Sequence, residues 1–333
     1  MKVISSVVAN LMACIAGEAG VRIAFSKGSG MNKIPVGQTV RFAYAFTFGE
    51  IGTVIGLIWI PTLINAIASF FALRAYYHTL VDSLESGIPP SGAGVGLPFL
   101  LAFLAMLLVA MIGVSLTQQA LGIRQGPAFA HIALGSAELR AFGGFFGLYL
   151  LFIFFIAIVA IVLGIAAAGS ATAIQANPRL GGLAGAVVSG AAVVGICVIV
   201  YAIIRLSFLL VPSVVDGGEF GLTRSWQLTK GNFWRIVAVG AATLLPIGLI
   251  FAIAELAILG PSFFIPDMTH GAAAGANMSN LAAQMRAMQD HMPVLMGLSF
   301  VLSPLLYGLL FSASAFAYRA LSGQGGIAAR NQT

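Results

Sequence analysis

Apolar positions in this chain do not recur at the period of a half-buried helix or strand; they run on almost without interruption. Six such runs stand out, from about Ile51 to Tyr77, Val95 to Leu116, Phe142 to Ala168, Leu183 to Leu210, Ile236 to Leu259 and Val294 to Ala317. A helix needs roughly 20 apolar residues to cross about 30 Å of hydrocarbon, and every one of these runs is that long. The pattern therefore predicts an all-α, polytopic membrane protein with six transmembrane helices.

Shorter amphipathic pieces lie between and before the runs. Over residues 3–23, Ile4, Val8, Leu11 and Ile15 fall on one side at helical spacing, with Ser6, Asn10 and Glu18 elsewhere, so this segment is expected to lie in the membrane interface. SKGSGMNKIPVGQ then reads as a surface linker. The expected organisation is an interfacial helix and linker over residues 1–35, one six-helix membrane domain over 36–320, and a tail over 321–333. Three lead-ins share a plan of amphipathic segment, polar or glycine turn, then span: GQTVRFAYAFTFGEIGTVIGLIWIP, FAHIALGSAELRAFGGFFGLYLLF and GLTRSWQLTKGNFWRIVAVGAATLLP. They suggest three hairpins, an internal repeat in which cytoplasmic interfacial helices feed the spans. Pro61 and Pro246 sit at matching depths in the first and fifth runs, where a transmembrane helix tolerates proline.

Composition agrees with the pattern. Hydrophobic residues make up 59% of the 333 positions and charged residues only 8%, against about 25% charged in a soluble domain. Forty glycines and runs such as GGLAGAVVSGAAVVG suit helices that approach through small residues. Gly185 with Ser189, and Ala186 with Gly190, have the spacing for such a contact. Charge adds sidedness, because cytoplasmic loops retain lysine and arginine. With the N-terminus inside, only Arg74, Arg179 and Arg286 fall away from the cytoplasmic side. Both termini are then expected in the cytoplasm of a bacterial cell, with the chain in its cytoplasmic (inner) membrane. The net charge of +6 reflects orientation, and no nucleic-acid partner is called for. Cys14 and Cys197 are the only cysteines; placed on one face and within a span, they predict no disulfide. Leu11-Met12-Ala13-Cys14 has the form of a lipobox, but the stretch before it is too short and too polar for a signal peptide.

The most informative polar segment is RLSFLLVPSVVDGGEFGLTRSWQLTKGNFWRI, residues 205 to 236. Asp216 and Glu219 favour the positive end of a helix, Lys230 the negative end, and Gly231 a left-handed cap, so a helix over Phe220 to Lys230 is predicted. Leu222, Trp226 and Thr229 share one of its sides, and Trp234 with Arg235 opens the next span at headgroup depth. Arg205, Arg224, Trp226, Lys230, Trp234 and Arg235 are accordingly the candidate residues for binding membrane lipids or another membrane protein or complex.

Within the spans, Glu255 and Arg74 are the ionisable residues that stand out, at similar depth near the outer boundary. Such groups are costly in a membrane and mark functional positions, so they form a candidate intramembrane pair, and Asn65, Gln118, Gln119 and Tyr307 are further polar residues in or beside spans. Methionines and histidines in the segment Gly260 to Met292 could suit a soft metal. Leu281, Met285, Met288 and Met292, however, step by four, three and four, which is the apolar side of a helix capped by Ser279; no metal or other cofactor is assigned. GxSxG, HExxH, CxxC and GxxxxGK[ST] patterns are missing, and no catalytic residue is assigned.

Arg205-Leu-Ser-Phe, Pro212, Gly221-Leu and Ser225-Trp226-x-Leu228-Thr229-Lys230-Gly231-Asn232-Phe233-Trp234-Arg235 resemble a block of uncharacterised bacterial inner-membrane proteins. These are related to the membrane domain attached to some glycerophosphodiester phosphodiesterases. AFTFGEIGTVIGLIWIP and LGSAELRAFGG are similar to the same group, so the resemblance covers about residues 36 to 320. It implies a six-helix bundle and no settled activity. The phosphodiesterase barrel with its His-Arg-Gly opening has no counterpart here, so no catalytic residue is carried over. The expected role is non-catalytic, the binding of lipid headgroups or a partner through a basic cytoplasmic face; the alternative is a transporter of a small or lipid-like molecule.

Overall fold

A computed structural model of the protein describes residues 33–86, 92–124, 134–176, 181–217, 221–260, 263 and 274–322. The expected interfacial helix over residues 3–23 lies outside these, as does the tail from residue 323 on; residues 321 and 322, expected in that tail, end the last helix. Among the described residues the chain forms no strand, and its helices are α1 Val36–Gly49, α2 Ile51–Ser86, α3 Gly92–Ala120, α4 Ser136–Ala176, α5 Gly181–Ser207, α6 Leu210–Gly217, α7 Leu222–Leu228, α8 Phe233–Leu259 and α9 Ala274–Ser322. Six of them, α2, α3, α4, α5, α8 and α9, are long and apolar enough to cross a membrane. The protein is an all-helical, multi-pass membrane protein.

Five of the six apolar runs lie each within one helix, while the fourth, Leu183 to Leu210, outlasts α5 at Ser207 and reaches the first residue of α6; several helices in turn outlast their runs. α2 has 36 residues and α9 has 49, about 54 and 74 Å at 1.5 Å per residue, so both extend past a hydrocarbon core of about 30 Å. Their projecting ends are tied by an ion pair between Glu85 and Arg286.

Proline does not stop these helices; Pro61, Pro246, Pro293 and Pro304 all lie inside them. Each lacks the N–H that would bond the carbonyl four residues back, and in a membrane a freed carbonyl requires another donor. The Tyr44 hydroxyl of α1 donates to Ala242 O at 3.3 Å, the carbonyl released by Pro246. Ser303 Oγ donates to Phe300 O at 2.8 Å, the carbonyl released by Pro304.

Close packing is concentrated at one end of the bundle. One cluster joins Val54, Leu57 and Ile58 of α2 to Ile112 and Leu116 of α3, Leu210 and Val214 of α6, and Phe311 of α9. A second joins Ala43 of α1 to Ile236 and Val239 of α8 and Leu309, Ala313 and Tyr318 of α9. These residues come from the first turns of α2 and α8 and the last turns of α3 and α9, so the core lies at the end that also holds Arg205 and Arg235, here termed the basic end. Lipid tails are as apolar as leucine, so van der Waals fit and small residues hold helices together there. Gly308 illustrates this, since a Cβ on it would come within 2.8 Å of Thr47 Cγ2, and the small run Ser312 to Ala315 continues the same tightly approached surface.

Toward the opposite, far end the helices separate. The outer parts of α4 and α5 leave Phe154, Ile161, Ile165, Val187 and Val194 exposed, as lipid-facing side chains are. Among the described residues nothing lies within 4 Å of a Cβ on Gly190, so no close contact forms at that candidate. α4 and α5 instead approach at Gly195, where a Cβ would meet Val159 Cγ2 at 3.2 Å.

α1 is docked on the bundle. Thr39, Ala43 and Thr47, spaced by four, are buried, and Phe42 stacks on Phe316 with ring centroids 4.7 Å apart. Its neighbours are α9 and α8. The first and third lead-ins thus share a plan of short helix, break and proline-containing span. In the second, LGSAELRAFGG runs directly into α4 from Ser136, and the residues ahead of Leu134 lie outside those described. Glu138 in the first turn of α4 accepts from Gly135 N at 3.0 Å, a capping contact favoured by the helix dipole.

Candidate functional site

The segment from Arg205 to Ile236 folds back on the basic end as a compact knot. After α5 ends at Ser207, Pro212 occupies the first turn of α6, where its missing N–H has no cost. Gly221 takes φ +75° and a Cβ on it would meet Val214 Cγ2 at 2.8 Å and Leu210 O at 2.9 Å, so conformation and space both demand glycine. α7 is shorter than the helix expected from Phe220 to Lys230. Gly231 adopts φ +77°, the left-handed conformation its position suggested. Asp216 does not head α7; it ends α6 and reaches sideways.

Arg205 is the centre of the knot and is only 6% exposed. Its Nε donates to Thr229 Oγ1 at 3.2 Å, Nη1 to Tyr201 Oη at 2.9 Å and Nη2 to Trp226 O at 2.7 Å. The guanidinium carbon lies 3.8 Å from the centre of the Trp226 ring, a stacking arrangement suited to arginine. In return, Ser225 Oγ donates to Arg205 O at 3.0 Å. Ser225 and Thr229, one turn apart on the buried side of α7, thus fasten that helix to the end of α5. Arg205 is a clamp within the protein, and its fork is turned to protein groups.

Two further cations also face inward. Arg224 Nη2 donates to Asp216 Oδ2 at 2.9 Å, and the fully buried Tyr318 donates to the same oxygen at 2.6 Å. Asp216 therefore links α6, α7 and α9. Arg235 Nη1 donates to Ile34 O at 2.9 Å while Ile34 N donates to Asn232 Oδ1 at 3.2 Å, pinning the strand of chain ahead of α1 to the start of α8. The open part of the predicted site is Lys230, Trp234, 79% exposed, and the outer side of the Trp226 ring. Trp226, Tyr201, Phe233 and Trp234 form a continuous aromatic row, with successive ring centroids 6.2, 4.6 and 5.2 Å apart, as in a membrane-interface belt.

The sequence did not single out Tyr201, Asn232 or Tyr318 for this site. Tyr201 stands one helical turn before Arg205, a spacing that could have revealed it. Tyr318 arrives from a helix about a hundred residues further on, which no local pattern discloses.

Arg74 and Glu255 are not brought into an ion pair. Arg74 is exposed at the edge of α2 with its guanidinium carbon 6.0 Å from the Phe70 ring centre. Glu255 instead borders a cavity of about 610 Å³ between α2, α8 and α9. Thr62, Asn65 and Ser69 of α2, Ile247 and Phe251 of α8, and Ser299, Ser303 and Tyr307 of α9 line it as well. Asn65 and Ser69 also border a second cavity, of about 390 Å³, against α3, α4 and α5. The bundle is thus closed at the basic end and hollow beyond it, with α2 separating the two hollows. Among the described residues no cluster of three or more His, Cys, Asp or Glu side chains comes together.

The chain matches no protein-family model, no curated protein and no solved structure, so its functional reading stands on its own residues.

Proposed function

We propose that the protein acts by binding, without a reaction of its own, and that its basic end engages anionic lipid headgroups. The observation that carries this reading is the distribution of charge along the bundle. Lys33, Arg41, Arg124, Arg140, Arg205, Arg224, Lys230, Arg235 and Arg319 belong to the basic end against Glu50, Glu138 and Asp216, whereas Asp82, Glu85, Glu255 and Asp290 belong to the far end against Arg74 and Arg286. A lysine or arginine near an anionic leaflet is worth about 1 kcal/mol, and the exposed pair of Lys230 and Trp234 has the cation and the amphipathic ring that such a surface favours. Arg205, Arg224 and Arg235 serve this reading by holding α7 and the start of α8 rigid beneath that pair.

The test is native mass spectrometry of the protein extracted in mild detergent, with the lipids that remain bound identified. Enrichment of anionic lipids over the bulk membrane is expected, reduced by the double substitution Lys230→Ala, Trp234→Ala. Retained lipids that match the bulk membrane, or a stoichiometric protein partner on this face in their place, would overturn the reading.

A further inference from the structure

We infer that the cavity between α2, α8 and α9 is a binding site for a lipophilic cation, a molecule with an apolar body and a single positive charge. At about 610 Å³ it has the size of a small-molecule pocket, and its wall is mostly hydrocarbon and aromatic. Glu255 borders it and has no hydrogen bond or ion pair with any described residue; Arg74, the partner expected from the sequence, sits over Phe70 instead. A carboxylate on an apolar wall with no protein counter-charge is the group that a bound cation would pair with.

The rest of the polar lining is uncharged and adds further acceptors. Ser299 Oγ donates its proton to Leu295 O at 2.9 Å and Ser303 Oγ to Phe300 O at 2.8 Å, so toward the cavity each offers lone pairs. Asn65 Oδ1 is buried without a partner, and so is the hydroxyl of Thr62, a residue only 4% exposed. Phe251, Phe300 and Tyr307 add ring faces that attract cations. Glu255 is the one formal charge among the lining residues, and with the aromatic rings beside it that charge disfavours an anion and favours a hydrophobic cation. This site is separate from the basic end and stands whether or not that end binds lipid.

The probe is radiolabelled tetraphenylphosphonium, titrated onto the full-length protein in nanodiscs against empty nanodiscs, with tetraphenylborate as the oppositely charged counterpart. Saturable binding of the cation alone is expected, weakened about tenfold or more by Glu255→Gln, the scale of one charge contact. Gly248→Leu supplies a second arm. Gly248 lines the cavity and a Cβ there meets nothing within 4 Å, so the larger side chain fills the hollow while Glu255 stays in place; this variant should abolish binding. Lys230→Ala should leave it unchanged. Uptake no greater than that of empty nanodiscs, equal binding of the borate, or full binding by monodisperse Gly248→Leu protein would overturn the assignment.

Discussion

At the scale of single residues, a charge near a membrane is usually interpreted as something presented to lipid or water, and Arg205 shows how far a fold can redirect it. Its three donors and its stacking face are matched by Thr229, Tyr201, Trp226 O and the Trp226 ring, which lysine cannot reproduce because it has neither the planar fork nor the stacking surface. Arg205→Lys should therefore cost about 2 kcal/mol, the scale of charged hydrogen bonds left unmade. A fall in the apparent melting temperature of the detergent-solubilised protein would register this, and unchanged melting would argue against the clamp. Gly221 is bound by geometry as firmly as Arg205 is by chemistry. Gly221→Ala should cost about 1 to 2 kcal/mol for the left-handed conformation alone, and more because its Cβ collides with Val214 and the Leu210 carbonyl. Melting of the alanine variant at the wild-type temperature would be incompatible with this turn.

At the scale of elements, proline in α8 and the tyrosine of α1 form one unit. Tyr44→Phe should destabilise the protein by about 1 kcal/mol by leaving the Ala242 carbonyl without its donor. In a Pro246→Ala background, residue 246 regains its N–H, the helix can satisfy Ala242 itself, and the same substitution should cost markedly less. A double-mutant cycle by thermal unfolding measures that coupling, and strict additivity would dismiss it. Burial raises the pKa of the Tyr44 hydroxyl above its ordinary value, so it remains a neutral donor throughout the physiological range. The existence and order of the spans were legible in the sequence because a run of some 20 apolar residues has few other physical meanings. Gly231 was legible because a cap is a local matter. The split of residues 205–236 into α6 and α7 was not, because Asp216 answers to Tyr318 and Arg224 across space instead of to the dipole of the next helix. The clamp was half legible for the same reason: its residues were visible as a basic and aromatic cluster, but which way they turned depended on α5 and α9.

At the scale of the whole molecule, packing and charge are polarised along the same axis. The basic end is closed by two buried clusters and tied by Arg205, Asp216 and Asn232, while beyond it α2, α8 and α9 enclose a hollow edged by Glu255. Cytoplasmic loops retain cations, so the closed end is expected to face the cytoplasm and the hollow the opposite leaflet. A ligand entering the cavity would then come from the outer half of the bilayer or from outside the cell. Sidedness can be measured in a background carrying Cys14→Ser and Cys197→Ala, with either Lys230→Cys or Asp290→Cys added; both positions are exposed and belong to opposite ends. In intact cells an impermeant maleimide should label Asp290→Cys, and Lys230→Cys only after the membrane is opened. The reverse pattern would invert the topology, placing the aromatic row of Trp226 to Trp234 outside and turning the Glu255 cavity toward the cytoplasm. Labelling of both positions in intact cells would mean that the chain inserts in two orientations, and the polarity of charge along the bundle would then not be what orders it in the membrane.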